Sequence, residues 1–328
     1  MVCPAVRPAA SGKTVTAASV SLEAEVLYGI NTIYTVAAGD VHLQCRIKGK
    51  QLKEARRSYN PIAPGDLVRV TPDLLSPHEG MISDVAIRRT RLVRWNKKGR
   101  APQVLAANAD IAVCVTSPSA PPFRPRFIDR LIVAAETGGL TPVVVMNKCD
   151  LPCPAEVTER LSHYRQMGYE VIFCSARSRA GIPQLQSFLT GKTAVFVGQS
   201  GVGKSSLLNA LSPGLDLRVG SLSLKHDRGN HTTNYSMLVR LDTGLRIIDT
   251  PGVRELELAD VLPEEVGFHF RDFTPYMQAC GFQPCLHDDE PRCAVMEAVQ
   301  RGEIHHDRYE SYLRILQDLQ ETRKAEHG

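Results

Sequence analysis

The chain lacks any apolar stretch near the roughly 18 residues that would cross a bilayer as a helix. Its apolar runs, such as Val143–Met146, are strand-sized, so no membrane partner is expected. It also lacks a secretory signal: residues 1–22 are small, hydroxylated and weakly basic, without an apolar centre. That segment has no acidic residue before Glu23, as organellar transit peptides do, but a flexible tail is the first reading. Internal repeats and low-complexity segments are missing as well. Cysteine pairs at a fixed spacing are absent from most of the chain: Cys3, Cys45, Cys114, Cys149, Cys153 and Cys174 stand apart. Nine cysteines, an odd count with no secretory signal, argue against a disulfide framework and for a reducing, cytoplasmic compartment.

What is present suffices for a folded, multidomain protein. Over 328 residues, 43% are hydrophobic and 23% charged, which suggests two or three domains with their own cores. The net charge of +4 is unevenly placed: residues 1–100 hold 16 lysines and arginines against 8 acidic residues. Such polarity suggests that the N-terminal part meets a polyanion, nucleic acid before others.

Residues 23–100 read as short strands, Val26–Tyr34, Asp40–Ile47, Asp66–Val70 and Met81–Arg91, punctuated by Gly and Pro. Four or five strands in so short a span suggest a small OB-like barrel, with Asn96–Pro102 as a linker. From about residue 101 to 258 strands alternate with helices. Asp110–Val115, Pro142–Met146, Glu170–Cys174, Ala194–Val197 and Leu245–Ile248 read as strands. Phe127–Thr137, Glu156–Met167, Pro183–Leu189 and Lys204–Leu211 read as helices. This rhythm predicts a mainly parallel sheet with helices on both faces. Residues 259–328 are irregular, bear Cys and His, and end in a helix whose apolar stripe is Tyr309, Tyr312, Leu313, Leu316 and Leu319.

Four short motifs carry chemistry. Gly198-Gln199-Ser200-Gly201-Val202-Gly203-Lys204-Ser205 fits G-x-x-x-x-G-K-[ST] between a predicted strand and a predicted helix. Its backbone N–H groups would cradle phosphates at a helix N-terminus. Lys204 would reach the β- and γ-phosphates, Ser205 would ligate Mg²⁺, and Ser206 would complete the cradle. Asn147-Lys148-Cys149-Asp150 closes a strand and fits N-K-x-D. The Asp150 carboxylate can accept from both N1–H and N2–H of guanine, a donor pair that adenine lacks. Asn147 would brace the loop and the Lys148 stem would cover the base. Asp249-Thr250-Pro251-Gly252 fits D-x-x-G, with Asp249 holding Mg²⁺ and the Gly252 N–H meeting the γ-phosphate. Ser175-Ala176-Arg177 ends a further strand and would place backbone amides near the guanine O6. Singly the last two say little; four at four strand ends describe a GTPase site with GTP, GDP and Mg²⁺ as its ligands.

Their order is circularly permuted. N-K-x-D and the serine loop precede the P-loop, and D-x-x-G follows it; most GTPases begin with the P-loop. Near-neighbour domain termini make such a rearrangement physically acceptable. With its barrel, permuted GTPase domain and Cys/His tail, the chain resembles the circularly permuted GTPases of small ribosomal subunit biogenesis, the RsgA/YjeQ family. Phe127-Ile128-Asp129-Arg130, Pro142–Leu151 and Arg228–Thr233 also match that family. The resemblance implies GTP hydrolysis in late maturation of the small subunit, binding through rRNA, and a chain expected to work as a monomer.

It further implies that Thr232 or Thr233 is the first-switch threonine on Mg²⁺. His231 beside them is ionisable and a candidate to orient water. Val253 stands where many GTPases carry a water-orienting Gln and cannot hydrogen-bond water. Gly201 stands where several potassium-stimulated GTPases carry Asn, which argues against K⁺ stimulation. In the tail, Cys280-x₄-Cys285-x-His287-x₅-Cys293 supplies a complete tetrahedral Cys₃His set for one structural Zn²⁺. Two other readings stand beside the GTPase: a P-loop kinase, against which Asp150 argues, and an RNA-binding module that keeps nucleotide without turnover, against which Lys204, Ser205 and Asp249 argue.

Overall fold

The computed structural model describes residues 21–48, 58–212, 235–241, 243–253 and 255–327. The N-terminal tail before residue 21 and the Arg228–Thr233 stretch, with His231, Thr232 and Thr233, lie outside the described residues.

Strands β1 (Leu22–Ile30), β2 (Ile33–Ala38), β3 (Val41–Ile47), β4 (Leu67–Pro72) and β5 (Glu79–Val85) close into a barrel in the order β1-β2-β3-β5-β4. Only β3 and β5 pair in parallel. Val26, Val36, Cys45, Val70 and Ile82, all fully buried, fill its interior. Along β4 and β5, Val68, Val70, Ile82 and Val85 point inward between exposed Leu67, Arg69, Glu79, Met81 and Asp84, the alternation of a closed sheet with one wet face. The predicted strand Val26–Tyr34 is two strands. Asn31 and Thr32 turn the chain with φ of 48° and 69°, the left-handed pair that a tight hairpin needs.

The predicted linker Asn96–Pro102 is also a hairpin. It turns β6 (Arg91–Asn96) into β7 (Ala101–Ala107), which among the described strands pair only with each other. This hairpin stands between barrel and sheet. Val93 and Val104 on it pack with Ala63 from the barrel side and Ala259 from beyond the last strand.

The central sheet has the order β10-β9-β8-β11-β13-β12, from β8 (Ile111–Thr116), β9 (Thr141–Met146), β10 (Glu170–Phe173), β11 (Thr193–Gly198), β12 (Met237–Arg240) and β13 (Arg246–Asp249). All pairs are parallel except β12 with β13. Every residue of β8 and β11 is buried, which explains their unbroken apolar runs: both faces are covered. Cys114, Val144, Val195 and Val197 meet the helix Pro125–Thr137 on one face. Val113, Val145 and Phe196 meet the helices Ile182–Leu189 and Lys204–Leu211 on the other. The chain runs outward from β8 to β9 and β10, then returns to β11 on the far side of β8. Strand order therefore reverses between β8 and β11, and a crevice opens at the carboxyl ends of those strands.

The tail packs on the same face as Pro125–Thr137. Phe270, Phe273, Val295, Tyr312 and Ile315, each buried, join the core that contains Ile128 and Leu131. No described helix is long and apolar enough to cross a membrane.

Candidate functional site

The parallel register sends four loops out of one edge of the sheet. Asn147 follows β9 directly, Ser175 lies two residues past β10, the P-loop starts at Gly198 where β11 ends, and β13 ends at Asp249. The pairing of Phe196 with Asp249 and of Phe173 with Met146 sets these loops level.

Asn147 joins three of them by position and contact. It is buried; its side-chain amide donates to the Val202 carbonyl at 2.8 Å, and its Oδ1 accepts from the Ala176 N–H at 3.1 Å. One side chain thus braces the P-loop and the serine loop from the N-K-x-D strand. The fit leaves no room for another residue at Gly203: its φ is +93°, and an added Cβ would lie 2.4 Å from the Asn147 nitrogen. The Lys148 ammonium donates to the Gly201 carbonyl at 2.7 Å and to the Ala120 carbonyl, so its stem lies across the mouth of the P-loop. Asp150 is exposed, and its Oδ1 accepts from the Ser175 hydroxyl at 2.5 Å. That bond, with Arg177 and Lys148 nearby, holds its carboxyl below the ordinary range. Cys149 between them is exposed, and its N–H bonds the Cys174 carbonyl at 3.1 Å.

The P-loop leads into the helix Lys204–Leu211, with Gly203 as its N-cap. Ser205 and Ser206 therefore sit in the first helical turn, where backbone N–H groups face outward with no intrahelical partner. The Lys204 ammonium folds onto the loop carbonyls of Gly198 at 2.8 Å and Gln199 at 3.3 Å. Burial lowers its pKa, and Asp249 partly offsets this. Asp249 is 2% exposed, its pKa is pushed up to about 7 by burial, and among the described residues its Oδ1 has no hydrogen-bond partner. A buried carboxylate oxygen with no described partner is costly and fits a site built to complete itself with a cation. Mg²⁺ chemistry suits this donor set of a carboxylate and the Ser205 hydroxyl. Gly252 lies against the P-loop: its added Cβ would come within 3.3 Å of the Ser200 backbone. Val253 is 3% exposed and belongs to the core with Leu256 and Leu258.

The tail cluster is equally defined. The ligand atoms of Cys280, Cys285, His287 and Cys293 all lie within 4.8 Å of one another. The His287 Nδ1 is 3.4 Å from the Cys293 Sγ and 3.6 Å from the Cys280 Sγ, and those two sulfurs are 4.0 Å apart. Four such donors around a common centre match a tetrahedral zinc site with Zn–S near 2.3 Å. Tyr309 donates to the His287 carbonyl at 2.7 Å, and Glu290 accepts from the Leu286 N–H at 2.6 Å, so neighbours orient the ligand-bearing backbone.

One group escaped sequence reasoning. Asp129, fully buried, accepts from Tyr164 at 2.6 Å and from Arg160 at 3.0 Å, and pairs with Arg308 of the last helix. Arg308 reaches Asp272 as well, at 3.3 Å. This buried network pins the tail to the sheet domain. Its only sequence signal was Asp129 within an otherwise apolar helix face.

With this geometry in view, the comparisons with known proteins are specific. The model of the RsgA GTPase family matches residues 85–259. A small ribosomal subunit biogenesis GTPase RsgA of Chlorobaculum tepidum is 40% identical over 296 residues, covering 88% of this chain and 95% of that protein. Its counterpart in Borreliella burgdorferi is 35% identical over 300 residues, covering 91% and 96%. The crystal structure of YjeQ from Thermotoga maritima superposes with a TM-score of 0.70 at 32% identity, covering 92% of this chain and 99% of that one. That of YloQ, described as a circularly permuted GTPase, gives 0.64 at 29% identity, covering 92% and 96%. Sequence, order of motifs and fold agree, and the chain belongs to the RsgA GTPase family.

Proposed function

We propose that the chain hydrolyses GTP with Mg²⁺ as an assembly factor of the small ribosomal subunit, in the cytoplasm, bound through rRNA. The observation that carries the reading is Asn147, which joins P-loop and serine loop while Asp150 stands beside them with acceptors for guanine. Residues 198–206 take the phosphates, Lys204 the β- and γ-oxygens, and Asn147, Lys148, Cys149, Asp150, Ser175, Ala176 and Arg177 the base. Ser205 and Asp249 hold Mg²⁺ with Thr232 or Thr233, Gly252 meets the γ-phosphate, and His231 is the candidate to orient water. Mg²⁺ neutralises charge developing on the phosphates when bound; the chain supplies alignment and fixed dipoles.

With Val253 buried in the core, the position directly after D-x-x-G offers no group to orient water. Intrinsic turnover is then slow, on the scale of about 10⁻⁴–10⁻³ s⁻¹ seen without an activating group, and a partner that orders the switches adds roughly 10³–10⁵-fold. The family names on the relatives, and the basic N-terminal third, support the small subunit as that partner. The test is turnover with and without small subunits, together with co-sedimentation in GDP and in a non-hydrolysable GTP analogue. Strong stimulation by small but not large subunits, erased by high salt, is the expected result. Fast turnover by the isolated chain, unchanged by subunits, would defeat it.

A further inference from the structure

A cleft of about 870 Å³ opens between the barrel, the β6–β7 hairpin and the D-x-x-G loop, well within the size range of ligand sites. One wall is Tyr59. Its ring leans on the backbone of Gly99 so closely that an added Cβ there would lie 2.1 Å from the ring, yet 54% of the residue stays exposed. The ring is held in place. The Tyr59 N–H donates to the Pro102 carbonyl at 2.7 Å, and Asn60 exchanges hydrogen bonds with Val104 at 2.8 and 2.9 Å. Tyr59 is therefore a fixed aromatic face, supported on one side and open to the cleft.

The hairpin turn beside it carries Lys97 and Lys98, both exposed. Trp95 lines the cleft below, and Asn31 and Thr32 of the β1–β2 turn face it from the barrel. The third side is the catalytic one: Gly252, Glu255 and Glu257 line it. Lys97 pairs with Glu257 and lies 3.8 Å from Glu255, while the Trp95 N–H donates to the Glu257 carbonyl at 2.9 Å. The hairpin thus grips the segment that starts three residues after Gly252.

An open aromatic face flanked by ammonium groups and amide side chains is how proteins hold unpaired bases: stacking for the base, cations for the backbone, and amides for base edges. A duplex offers no free base face to such a cleft. We propose that this cleft seats one unpaired nucleotide of RNA, its base stacked on Tyr59 and its phosphate at Lys97, directly beside the D-x-x-G loop. A phosphate arriving at Lys97 competes with Glu255 and Glu257 for the ammonium. Released from Lys97, those carboxylates loosen the grip on the segment after Gly252. RNA binding and the nucleotide site are coupled through this exchange of ion pairs, and the coupling is reciprocal.

This inference rests on the proposed role at the small subunit, and one intrinsic probe separates the two. Trp95 is the chain's single tryptophan, and it lies in the cleft. A single-stranded, unstructured RNA of roughly ten nucleotides, titrated into the full chain, should quench Trp95 emission in a saturable way, and an RNA duplex of the same length should not. Tyr59→Ala should weaken this binding about tenfold, Tyr59→Phe should preserve it, and Lys97→Ala should weaken it while lowering the salt slope by about one. Absent quenching, or equal affinity for wild type and Tyr59→Ala, would overturn the cleft assignment. Small subunits that co-sediment with a chain whose Trp95 ignores RNA would overturn the cleft and leave the proposed function standing. Quenching by RNA without co-sedimentation would do the reverse.

Discussion

The nucleotide edge and the zinc tail are both four-part sites, and they are held together by opposite means. At the nucleotide edge, residues from 147 to 252 meet because a buried parallel sheet delivers them; the strands below them are covered on both faces. In the tail, four ligands within fourteen residues meet on a backbone that has little regular structure between Gln278 and Cys293. His287 and Arg292 even take positive φ values of 55° and 59°. The first site is a consequence of the fold. The second has no sheet beneath it, and its four donors, all within 4.8 Å of one another, could be joined by one metal ion. Aromatic packing of Phe273 edge-on to His287 at 5.9 Å and to Tyr312 at 4.9 Å covers the cluster but cannot replace its centre.

Removing the metal should break the comparison most sharply. Zinc binding contributes roughly 10–16 kcal/mol in small finger domains. Cys285→Ser, or a strong chelator, should release zinc and deprotect residues from about 270 to 328 in hydrogen exchange. GDP affinity should remain, since no motif of the nucleotide edge lies in the tail. Full protection of the tail in a zinc-free preparation would show that the aromatic packing suffices.

The same contrast explains what could be read from the sequence. The P-loop, N-K-x-D and the Cys₃His set are contiguous, so spacing alone exposes them. Continuous apolar runs gave the buried strands, because two covered faces leave no polar alternation. Asn31 and Thr32 gave no warning of a turn, since a β-branched Thr seldom takes positive φ, and β1 and β2 merged into one expected strand. The NKKGR turn looked like a linker because it is all polar, whereas its partner strands are bound by register across it. Strand β12, four residues long, was too short to show a period. The Asp129 network was out of reach for a different reason: Arg160 and Arg308 lie 31 and 179 residues away, and charges at such separations announce nothing until the chain is folded.

A second prediction sharpens the comparison by asking whether the nucleotide edge also waits for a cation. In the nucleotide-free chain, burial holds the Asp249 carboxyl at about 7, well above its ordinary value. The folded state then binds this proton more tightly than the unfolded chain does. That contribution is fully present below the unfolded pKa near 4 and is lost as pH rises through about 7. Asp249→Asn removes the charge at nearly constant shape. Relative to wild type it should gain stability on the order of a few kcal/mol by pH 8 and little near pH 4. Chemical denaturation of both proteins across that range measures it. A difference independent of pH would mean that the carboxylate is already paired within the protein.

The smallest effect is expected at the most exposed corner of the edge. Asp150 contributes nothing to the core: it is exposed, and its one described side-chain bond is to Ser175. Its replacement should therefore spare the fold, unlike loss of a tail cysteine ligand. On the proposed reading, what it carries is recognition. Asp150→Asn swaps one acceptor oxygen for a donor, so one of the two guanine N–H groups faces another donor across the site. By analogy with bidentate base readout, that costs roughly 1–3 kcal/mol, or about 5–150-fold in GTP affinity. The same swap suits a base with a carbonyl in place of the amine, so the variant should favour xanthine over guanine nucleotides. Competition titrations with GTP, ATP and XTP give the ranking. An unchanged preference for GTP with an unchanged affinity would remove Asp150 from the base site and leave the bracing by Asn147 as a purely structural feature.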